Sequence, residues 1–360
     1  MDAPRLASAA GLLVEALMTD EELQTFYKGK QVVVTGAAGF IGSHLTEALV
    51  RMGARVRVLC RYTSSGTLGK LEELPGDERG ALEVVYGNVE DSSCVLTLCR
   101  DAEVVFHLAA LIGIPYSYVA PRQYVATNVE GTVNLLEAVR ALGVRKLVHT
   151  STSETYGTNE TYGGPETSTM AESHPLVAQS PYSASKIAAD KFAESYYLSF
   201  GTPVATIRPF NTFGPRQSPR AVIPTIAKQL AAGATELRLG SVEPVRDFNF
   251  VTDTVAGFLR IGASDESVGK VLNVASGRAV SVGEVVRMLC ALSGRDVSIL
   301  TESARVRPER SEVMYLLGDF SRARDLVGYE PRVALEEGLR RTYAYFQAQR
   351  AADDGARYAV

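Results

Sequence analysis

The sequence has few of the residues that form disulfide frameworks and metal sites. Its 360 residues include four cysteines and four histidines, and it has no tryptophan. The cysteines form no C-x-x-C pair and the histidines form no ligand-like cluster, so neither a disulfide scaffold nor a zinc site is expected. This cysteine usage favours a reducing, cytoplasmic location, and we expect no bound metal.

Long apolar runs and blocks of like charge are also missing. The apolar stretch at residues 6–18 is interrupted by Glu15 and is shorter than the roughly 20 residues that a membrane helix needs. It has neither the basic leader nor the cleavage site of a signal peptide, and we predict an amphipathic helix outside the main fold. Lys and Arg together number 37 against 41 Asp and Glu, so neither nucleic acid nor a membrane surface is expected as a partner.

What the sequence does contain is a regular alternation of short apolar runs with amphipathic segments. Hydrophobic residues make up 46% of the chain, enough to bury the core of one large or two ordinary domains. The apolar runs predict strands at 31–35, 56–59, 104–108, 146–150 and 204–207, and helical spacing predicts helices at 41–52, 122–142 and 182–200. This order predicts an α/β fold, a Rossmann-like doubly wound parallel sheet with helices on both faces.

Three glycines follow the first predicted strand. Gly36, Gly39 and Gly42 lie at the turn into an amphipathic helix, where they permit a tight turn and let the backbone approach a pyrophosphate. In this context they predict a dinucleotide site. The second strand is followed by Arg61, where an NAD site commonly has an acidic residue. Because an arginine can pair with a 2′-phosphate, we expect a modest preference for NADP, with NAD left open.

The chain changes character after Pro209. The elements become shorter and richer in Pro, Gly and Arg before a helical ending near 335–349. We expect an N-terminal extension at 1–28, an NAD(P)-binding domain at 29–208 plus about 247–275, and a smaller C-terminal substrate-binding lobe at about 209–246 and 276–348. Such folds bind ligands in the crevice beyond the carboxyl ends of the strands, which is where we place the site.

A set of hydroxyl, carboxylate and amine side chains is predicted to face that crevice. Tyr182 and Lys186, four residues apart on a predicted helix, share one helix face, and Thr152, Ser153 and Glu154 follow the strand at 146–150. A nearby ammonium, together with the positive charge of an oxidised nicotinamide, would lower the pKa of the Tyr182 phenol. The phenol could then accept a proton from a sugar hydroxyl held by Thr152 as hydride leaves that carbon. Glu154 could remove a proton α to the ketone so formed.

These motifs resemble those of the extended short-chain dehydrogenase/reductases that modify nucleotide sugars, above all their 4,6-dehydratases. The greatest similarity is to the UDP-N-acetylglucosamine 4,6-dehydratases of legionaminic acid biosynthesis, followed by the GDP-mannose 4,6-dehydratases. The resemblance covers about residues 30–346 and includes HLAALI at 107–112, NVEGT at 128–132, STSETYG at 151–157, SPYSASK at 180–186 and RPFNTFGPRQ at 208–217.

The resemblance implies roles for individual residues and a homodimer joined through helices near 122–142 and 182–200. Asn211 would contact the substrate diphosphate, Arg246 and Arg307 would clamp it, and Arg216 and Arg220 would assist around the nucleotide. A tightly bound NAD(P) would be held by Gly36, Gly39, Phe40, Ile41, Gly42, Arg61, Asn88, Val89, Leu108, Ala109, Ala110, Asn128, Tyr182 and Lys186.

The sequence departs from the family pattern at three places. Asn88 stands where the family usually has an Asp near the adenine, although its amide oxygen can still accept a hydrogen bond. Ser153 stands where the dTDP-glucose dehydratases have an acidic Asp, although a serine here matches the GDP-mannose and legionaminic branches. Glu154 or a water held by Ser153 would therefore protonate the leaving hydroxyl. The N-terminal extension has no counterpart.

We therefore expect a nucleotide-sugar 4,6-dehydratase that forms a 4-keto-6-deoxy sugar with no net redox change. Neither the base nor the sugar of the substrate can be read from individual residues. The resemblance implies UDP-N-acetylglucosamine. The nearest alternative is a 4-epimerase, which shares almost every motif. An epimerase or a decarboxylase that acts on UDP-glucuronate is a related alternative. The pair Ser153 and Glu154 favours dehydration. A non-catalytic NAD(P)-sensing regulator would have no need of Tyr182, Lys186 and Thr152 together.

Overall fold

In the part of the chain that the structure describes, the strands form one large sheet and two small ones. They were traced in a computed structural model that describes residues 18–64, 66–157, 169–302 and 313–358, with side chains to residue 350. The strands are β1 (Gln31–Thr35), β2 (Arg55–Cys60), β3 (Glu83–Tyr86), β4 (Val104–His107), β5 (Lys146–Thr150), β6 (Val204–Pro209), β7 (Asn211–Phe213), β8 (Glu236–Leu239), β9 (Val245–Phe250), β10 (Val271–Val274), β11 (Ala279–Ser281), β12 (Ser298–Thr301) and β13 (Tyr315–Leu316).

Helices connect and cover these strands. They are α1 (Asp20–Tyr27), α2 (Phe40–Arg51), α3 (Gly76–Gly80), α4 (Ser92–Leu98), α5 (Ile114–Val119), α6 (Pro121–Tyr124), α7 (Gly131–Leu142), α8 (Pro181–Phe200), α9 (Val222–Ala231), α10 (Val251–Ala263), α11 (Val282–Ser293), α12 (Ser321–Val327) and α13 (Leu335–Tyr358). Short 3-10 turns lie at Gly69–Glu73, Ser153–Thr155 and Asp265–Ser267, and one π-helical turn lies at Val125–Glu130.

The large sheet has seven parallel strands in the order β3-β2-β1-β4-β5-β6-β10. Its central strands are apolar because both faces are covered: Val32 and Val34 pack toward α2 and α10, whereas Val33 packs toward α4 and α7. The chain reverses its direction of winding between β1 and β4, which creates a crevice at their carboxyl ends. The predicted α/β doubly wound fold is confirmed.

A second lobe follows from β7 onward. Strand β9 lies at its centre and pairs with β7 and β13 in parallel and with β11 antiparallel, while β8 and β12 form a separate two-stranded sheet. Helices α9, α11 and α13 pack over these strands around an apolar core that includes Phe213, Ile226 and Leu339. Helix α10 and strand β10 pack with the large sheet, so the chain returns to the first unit before it completes the second lobe.

Helix α1 attaches the amino-terminal segment to the large sheet. Leu23 and Tyr27 are buried in the core beside α10, and the Tyr27 hydroxyl donates to the carbonyl of Leu259 at 2.7 Å. The carboxylate of Asp20 pairs with Arg260 and Arg332, each at 2.6 Å. The helix predicted at 6–18 lies, apart from its last residue, outside the described residues. Within those residues, no helix is both long and apolar enough to cross a membrane.

Candidate active site

The glycine-rich turn joins β1 to α2 at the crevice. Gly36 has a φ of +73°, and a Cβ built on it would lie 2.6 Å from the carbonyl carbon of Leu108. A Cβ on Gly42 would lie 2.2 Å from the oxygen of Gly36. No side chain caps the N-terminus of α2, which begins with Phe40 and Ile41 after Gly39. Only glycine therefore fits at these two positions of the turn. The free backbone N–H groups at the start of α2 suit the pyrophosphate of a dinucleotide.

The other predicted cofactor residues follow neighbouring strands of the same sheet edge. Arg61 and Asn88 are exposed just beyond the paired strands β2 and β3. Leu108, Ala109 and Ala110 follow β4, and the Ala109 N–H donates to the hydroxyl of Thr35 at 3.2 Å. Val89 is buried and packs against Gly131 at the start of α7. The structure therefore places these residues along one continuous edge of the crevice.

Asn128 is fully buried and contacts protein on every side. Its Oδ1 accepts from the Leu111 N–H at 2.8 Å, and its Nδ2 donates to the Leu111 carbonyl at 3.0 Å and to the Ser185 hydroxyl at 2.9 Å. These bonds tie the loop after β4 to helix α8. The predicted role for Asn128 in cofactor binding is accordingly indirect, because its side chain holds the loop that lines the site.

Tyr182 and Lys186 lie on the buried face of α8, with 7% and 3% of their surface exposed. Ser180 and Ser183 form a capping box that starts the helix one residue before Pro181. Burial raises the pKa of Tyr182 well above its ordinary value, and a hydrogen bond with Thr152 lowers it only in part. Removal from water is the largest effect, and the charges of Glu154 and Asp190 raise the pKa further, so the lowering expected from the Lys186 ammonium does not prevail in this pocket. Burial also lowers the pKa of Lys186, to about 8.

The turn after β5 brings a carboxylate to the tyrosine. Ser153–Thr155 forms one 3-10 turn, and the Glu154 N–H donates to the Thr152 hydroxyl at 3.3 Å. The Thr152 side chain is in turn hydrogen-bonded to Tyr182, so the turn places Glu154 beside the tyrosine, and the charge of Glu154 raises the pKa of Tyr182. Ser153 is buried, whereas Thr152 and Glu154 are partly exposed to the crevice. Thr152, Glu154 and Tyr182, chosen from the sequence as catalytic, therefore meet in space.

The predicted substrate residues are distributed over the second lobe. Asn211 begins β7, and its buried Oδ1 has no hydrogen-bond partner among the described residues, which leaves an acceptor to be satisfied by a ligand. Arg246 lies on β9 with 6% of its surface exposed, and it donates to the Val245 carbonyl at 3.0 Å. Arg220 is exposed, and Arg307 lies outside the described residues.

Arg216 is engaged by the first domain rather than open to the crevice. Its backbone has a φ of +66°, in the left-handed region. Its guanidinium lies 2.6 Å from Glu47 of α2 and 3.9 Å from Glu73. The predicted contact of Arg216 with the nucleotide would therefore require this ion pair to open.

Sequence reasoning missed a buried polar group beneath the catalytic residues. Asp190 lies one helical turn after Lys186 and is bonded to His149, Ser151 and Arg208. The signal was present, because Asp190 continues the four-residue spacing of Tyr182 and Lys186, and a carboxylate on the buried face of a helix requires partners.

Comparison with known proteins identifies relatives along nearly the whole chain. Residues 33–342 match the family model described as GDP-mannose 4,6 dehydratase. The chain is 34% identical to a UDP-glucose 4-epimerase of Mycolicibacterium smegmatis over 88% of this chain and 98% of that protein. It is 33% identical to a dTDP-glucose 4,6-dehydratase of Streptomyces antibioticus, over 89% and 93% respectively. The solved dTDP-glucose 4,6-dehydratase DesIV of Streptomyces venezuelae, with NAD bound, is 29% identical with a TM-score of 0.77, over 89% of this chain and 98% of that one.

Proposed function

This chain belongs to the nucleotide-sugar dehydratase and epimerase family of extended short-chain dehydrogenase/reductases, and we propose that it is a nucleotide-sugar 4,6-dehydratase. The observation that carries the proposal is the position of Glu154, on the 3-10 turn capped by Thr152, whose side chain is hydrogen-bonded to Tyr182. A base beside the ketone-forming tyrosine is what removal of water requires and what epimerisation at C4 does not.

The first half of the reaction converts the C4 hydroxyl of the sugar into a ketone. The glycine turn, Arg61, Asn88 and the loop at 108–110 would hold a nicotinamide dinucleotide, which would supply a hydride acceptor for C4 and, later, a hydride donor for C6. Tyr182 takes the proton of O4, and Thr152 holds the same oxygen. The Lys186 ammonium, one turn along the helix, stabilises the phenolate that Tyr182 must form.

The second half removes water from C5 and C6. The C4 ketone makes the proton on C5 acidic, and Glu154 removes this proton while the C6 hydroxyl departs. Glu154, or a water held by Ser153, protonates the leaving oxygen. C6 then receives hydride and C5 receives a proton from solvent, while Tyr182 releases the O4 proton to solvent, so that both side chains return to their starting protonation states. The product is a 4-keto-6-deoxy nucleotide sugar, and the net change is the loss of one water.

We extend the proposal to UDP-N-acetylglucosamine as substrate, on the strength of the motif resemblance. The buried guanidinium of Arg246 and the amide N–H of Asn211 can donate to its diphosphate, and the unpartnered Oδ1 of Asn211 can accept from a substrate hydroxyl. Mass spectrometry of the product tests the reaction against a panel of UDP-N-acetylglucosamine, GDP-mannose, dTDP-glucose and UDP-glucuronate. We expect a product lighter by one water from the first, whereas loss of water from none of them would overturn the assignment as a dehydratase.

A 4-epimerase is the second candidate, because the M. smegmatis relative at 34% identity is named as one. In that reaction the keto sugar rotates and recovers its hydride on the other face of C4, and Glu154 takes no part. The substrate would return with its mass unchanged, which the same panel detects.

Cofactor selectivity follows from Arg61, which is exposed beyond β2. We expect cofactor-stripped protein to bind NADP about tenfold more tightly than NAD, because one charge-assisted phosphate contact contributes about 1.5–3 kcal/mol. Titration calorimetry of the Arg61→Ala variant should show the two affinities becoming equal. Arg55→Ala, at the opposite end of the same strand, serves as the control. Tighter binding of NAD by the unmodified protein would contradict the preference.

A homodimer through α7 and α8 is also part of the proposal, together with a cytoplasmic location where its unpaired cysteines stay reduced. On α8, Phe192, Leu198 and Phe200 are 42%, 73% and 56% exposed, and Arg140 of α7 lies over the Phe200 ring. We expect sedimentation to show a dimer that Leu198→Glu converts to a monomer. Leu292→Glu, on α11 of the second lobe, should leave the dimer intact. A wild-type protein that sediments as a monomer at micromolar concentration would contradict this interface.

A further inference from the structure

A buried ion pair lies beneath the catalytic side chains. The guanidinium of Arg208, on β6, donates to the Asp190 carboxylate at 2.9 Å, and the two residues are 3% and 5% exposed. Burial alone would raise the pKa of Asp190, but hydrogen bonds from His149 and Ser151 and the charge of Arg208 lower it to about 2. The carboxylate is therefore ionised, so His149, 3.0 Å away, donates to it from Nε2.

The 3-10 turn at Ser153–Thr155, which carries Glu154, is attached to this ion pair on both sides. Before the turn, the Ser151 hydroxyl donates to Asp190 at 2.6 Å. After the turn, the Tyr156 hydroxyl accepts from Arg208 at 3.1 Å, and the guanidinium lies 4.9 Å from the centre of the Tyr156 ring. The same hydroxyl donates to Asn273 of β10 at 2.7 Å. The residues between these two attachments are Thr152, Ser153, Glu154 and Thr155.

The ion pair is also part of the helix that carries the other catalytic groups. Tyr182, Lys186 and Asp190 succeed one another at four-residue intervals along one face of α8. A displacement of Asp190 relative to Arg208 would therefore move Tyr182 and Lys186 relative to Thr152 and Glu154. These are the groups that must act on adjacent carbons of one sugar.

We propose that Asp190 and Arg208 are positioning residues. Together they hold the turn bearing Thr152 and Glu154 at the distance and orientation from Tyr182 and Lys186 that the reaction requires. This inference rests on the proposed catalytic roles of those four residues. A buried ion pair that served stability alone would affect folding without a specific effect on the rate of the chemical step.

The variants Ser151→Ala and Tyr156→Phe test the two attachments separately while leaving both members of the ion pair in place. A misplacement of reacting groups by about 1 Å costs on the order of a hundredfold in rate, so we expect kcat to fall by about ten- to a hundredfold. The KM for the sugar nucleotide should stay within about twofold, because the contacts of the second lobe are untouched.

Two matched controls delete the same groups from buried positions away from the crevice. Ser267→Ala removes a hydroxyl that accepts from Lys146 at 2.9 Å near the opposite end of β5, and Tyr27→Phe removes the hydroxyl bonded to Leu259. Both controls should lose thermal stability comparably with the test variants and keep the wild-type kcat. If the test variants also keep the wild-type kcat, or if the controls lose as much, the positioning role is overturned.

The pH profile of Asp190→Asn gives a second readout. The charged or titratable groups that act on Lys186 are Asp190 on its own helix, His107 of β4 and His149 of β5, with Arg208 of β6 paired to Asp190. Among them only Asp190 favours the ammonium form, so its neutralisation should move the alkaline limb of kcat to lower pH. An unshifted limb in folded Asp190→Asn would contradict the role; if this variant does not fold, Ser151→Ala and Tyr156→Phe decide the question.

The test of the positioning role does not depend on whether the proposed dehydration is correct. If the wild-type enzyme inverts C4 without loss of water, the dehydratase proposal fails, yet Tyr182, Lys186 and Thr152 still act. The same variants are then measured by C4 inversion, and an unchanged rate would still overturn the positioning role.

Discussion

Glu154→Gln is expected to abolish the loss of water while leaving the cofactor and the fold in place. Glutamine preserves the size of the side chain but cannot accept the C5 proton, and a positioned general base contributes typically 10²–10⁴-fold to rate. We therefore expect dehydration to fall by about a thousandfold. Incorporation of solvent deuterium at C5 should fall with it, since both require removal of the same proton.

The control for this variant is Glu103→Gln, at the amino end of the sheet, where the carboxylate pairs with Lys30 at 2.8 Å. It should turn over as the wild type does. Affinity for the dinucleotide should be the same in both variants, because neither residue lies on the glycine turn. Wild-type dehydration by Glu154→Gln would remove the basis for distinguishing this protein from an epimerase.

Tyr182→Phe is expected to stop the reaction one step earlier. The phenyl ring still fills the pocket beside Tyr124, whose ring centre lies 6.2 Å away, so the variant should fold. Without the hydroxyl no group takes the O4 proton, and we expect kcat to fall by about 10³-fold or more, with neither ketone formation nor C5 exchange. Stopped-flow absorbance of the nicotinamide, with Tyr27→Phe as the control, measures the loss of C4 oxidation directly.

The wild-type pH profile follows from the same groups. Burial raises the pKa of Tyr182 and lowers that of Lys186 to about 8. Because the Tyr182 phenol keeps its proton throughout the neutral range, its ionisation depends on the Lys186 charge, and activity should decline above about pH 8, where Lys186 loses that charge. Ketone formation by Tyr182→Phe at the wild-type rate would contradict the assignment of Tyr182 as the base.

The parts of the fold that the sequence predicts are those determined by local patterns. Strands β1 and β5 occupy the predicted residues 31–35 and 146–150, because apolar runs between turn residues can be recognised without tertiary context. Strands β3 and β10 were not predicted: each lies at an edge of the sheet, and a polar residue, Glu83 in β3 and Asn273 in β10, shortens its apolar run. The sheet of the second lobe depends on pairings such as β7 with β9, which involve residues far apart in the chain.

The same distinction applies to the site. Gly36 and Gly42 are recognisable because a turn, a strand and a helix are consecutive in the chain, and Tyr182 with Lys186 because a helix brings fourth neighbours together. The partners of Asp190 come from β5 and β6, and the partner of Arg216 comes from α2, so only the folded chain brings them together. The raised pKa of Tyr182 was likewise hidden, since burial is a property of the fold.

The central claim is that Glu154 makes this protein a dehydratase, and proton NMR of the purified enzyme with UDP-N-acetylglucosamine in D₂O tests it most directly. The dinucleotide is added if none accompanies the protein. The account predicts a new methyl resonance for C6 and deuterium at C5 of the product. A C6 hydroxymethyl group that persists while C4 inverts would contradict it and identify the enzyme as a 4-epimerase.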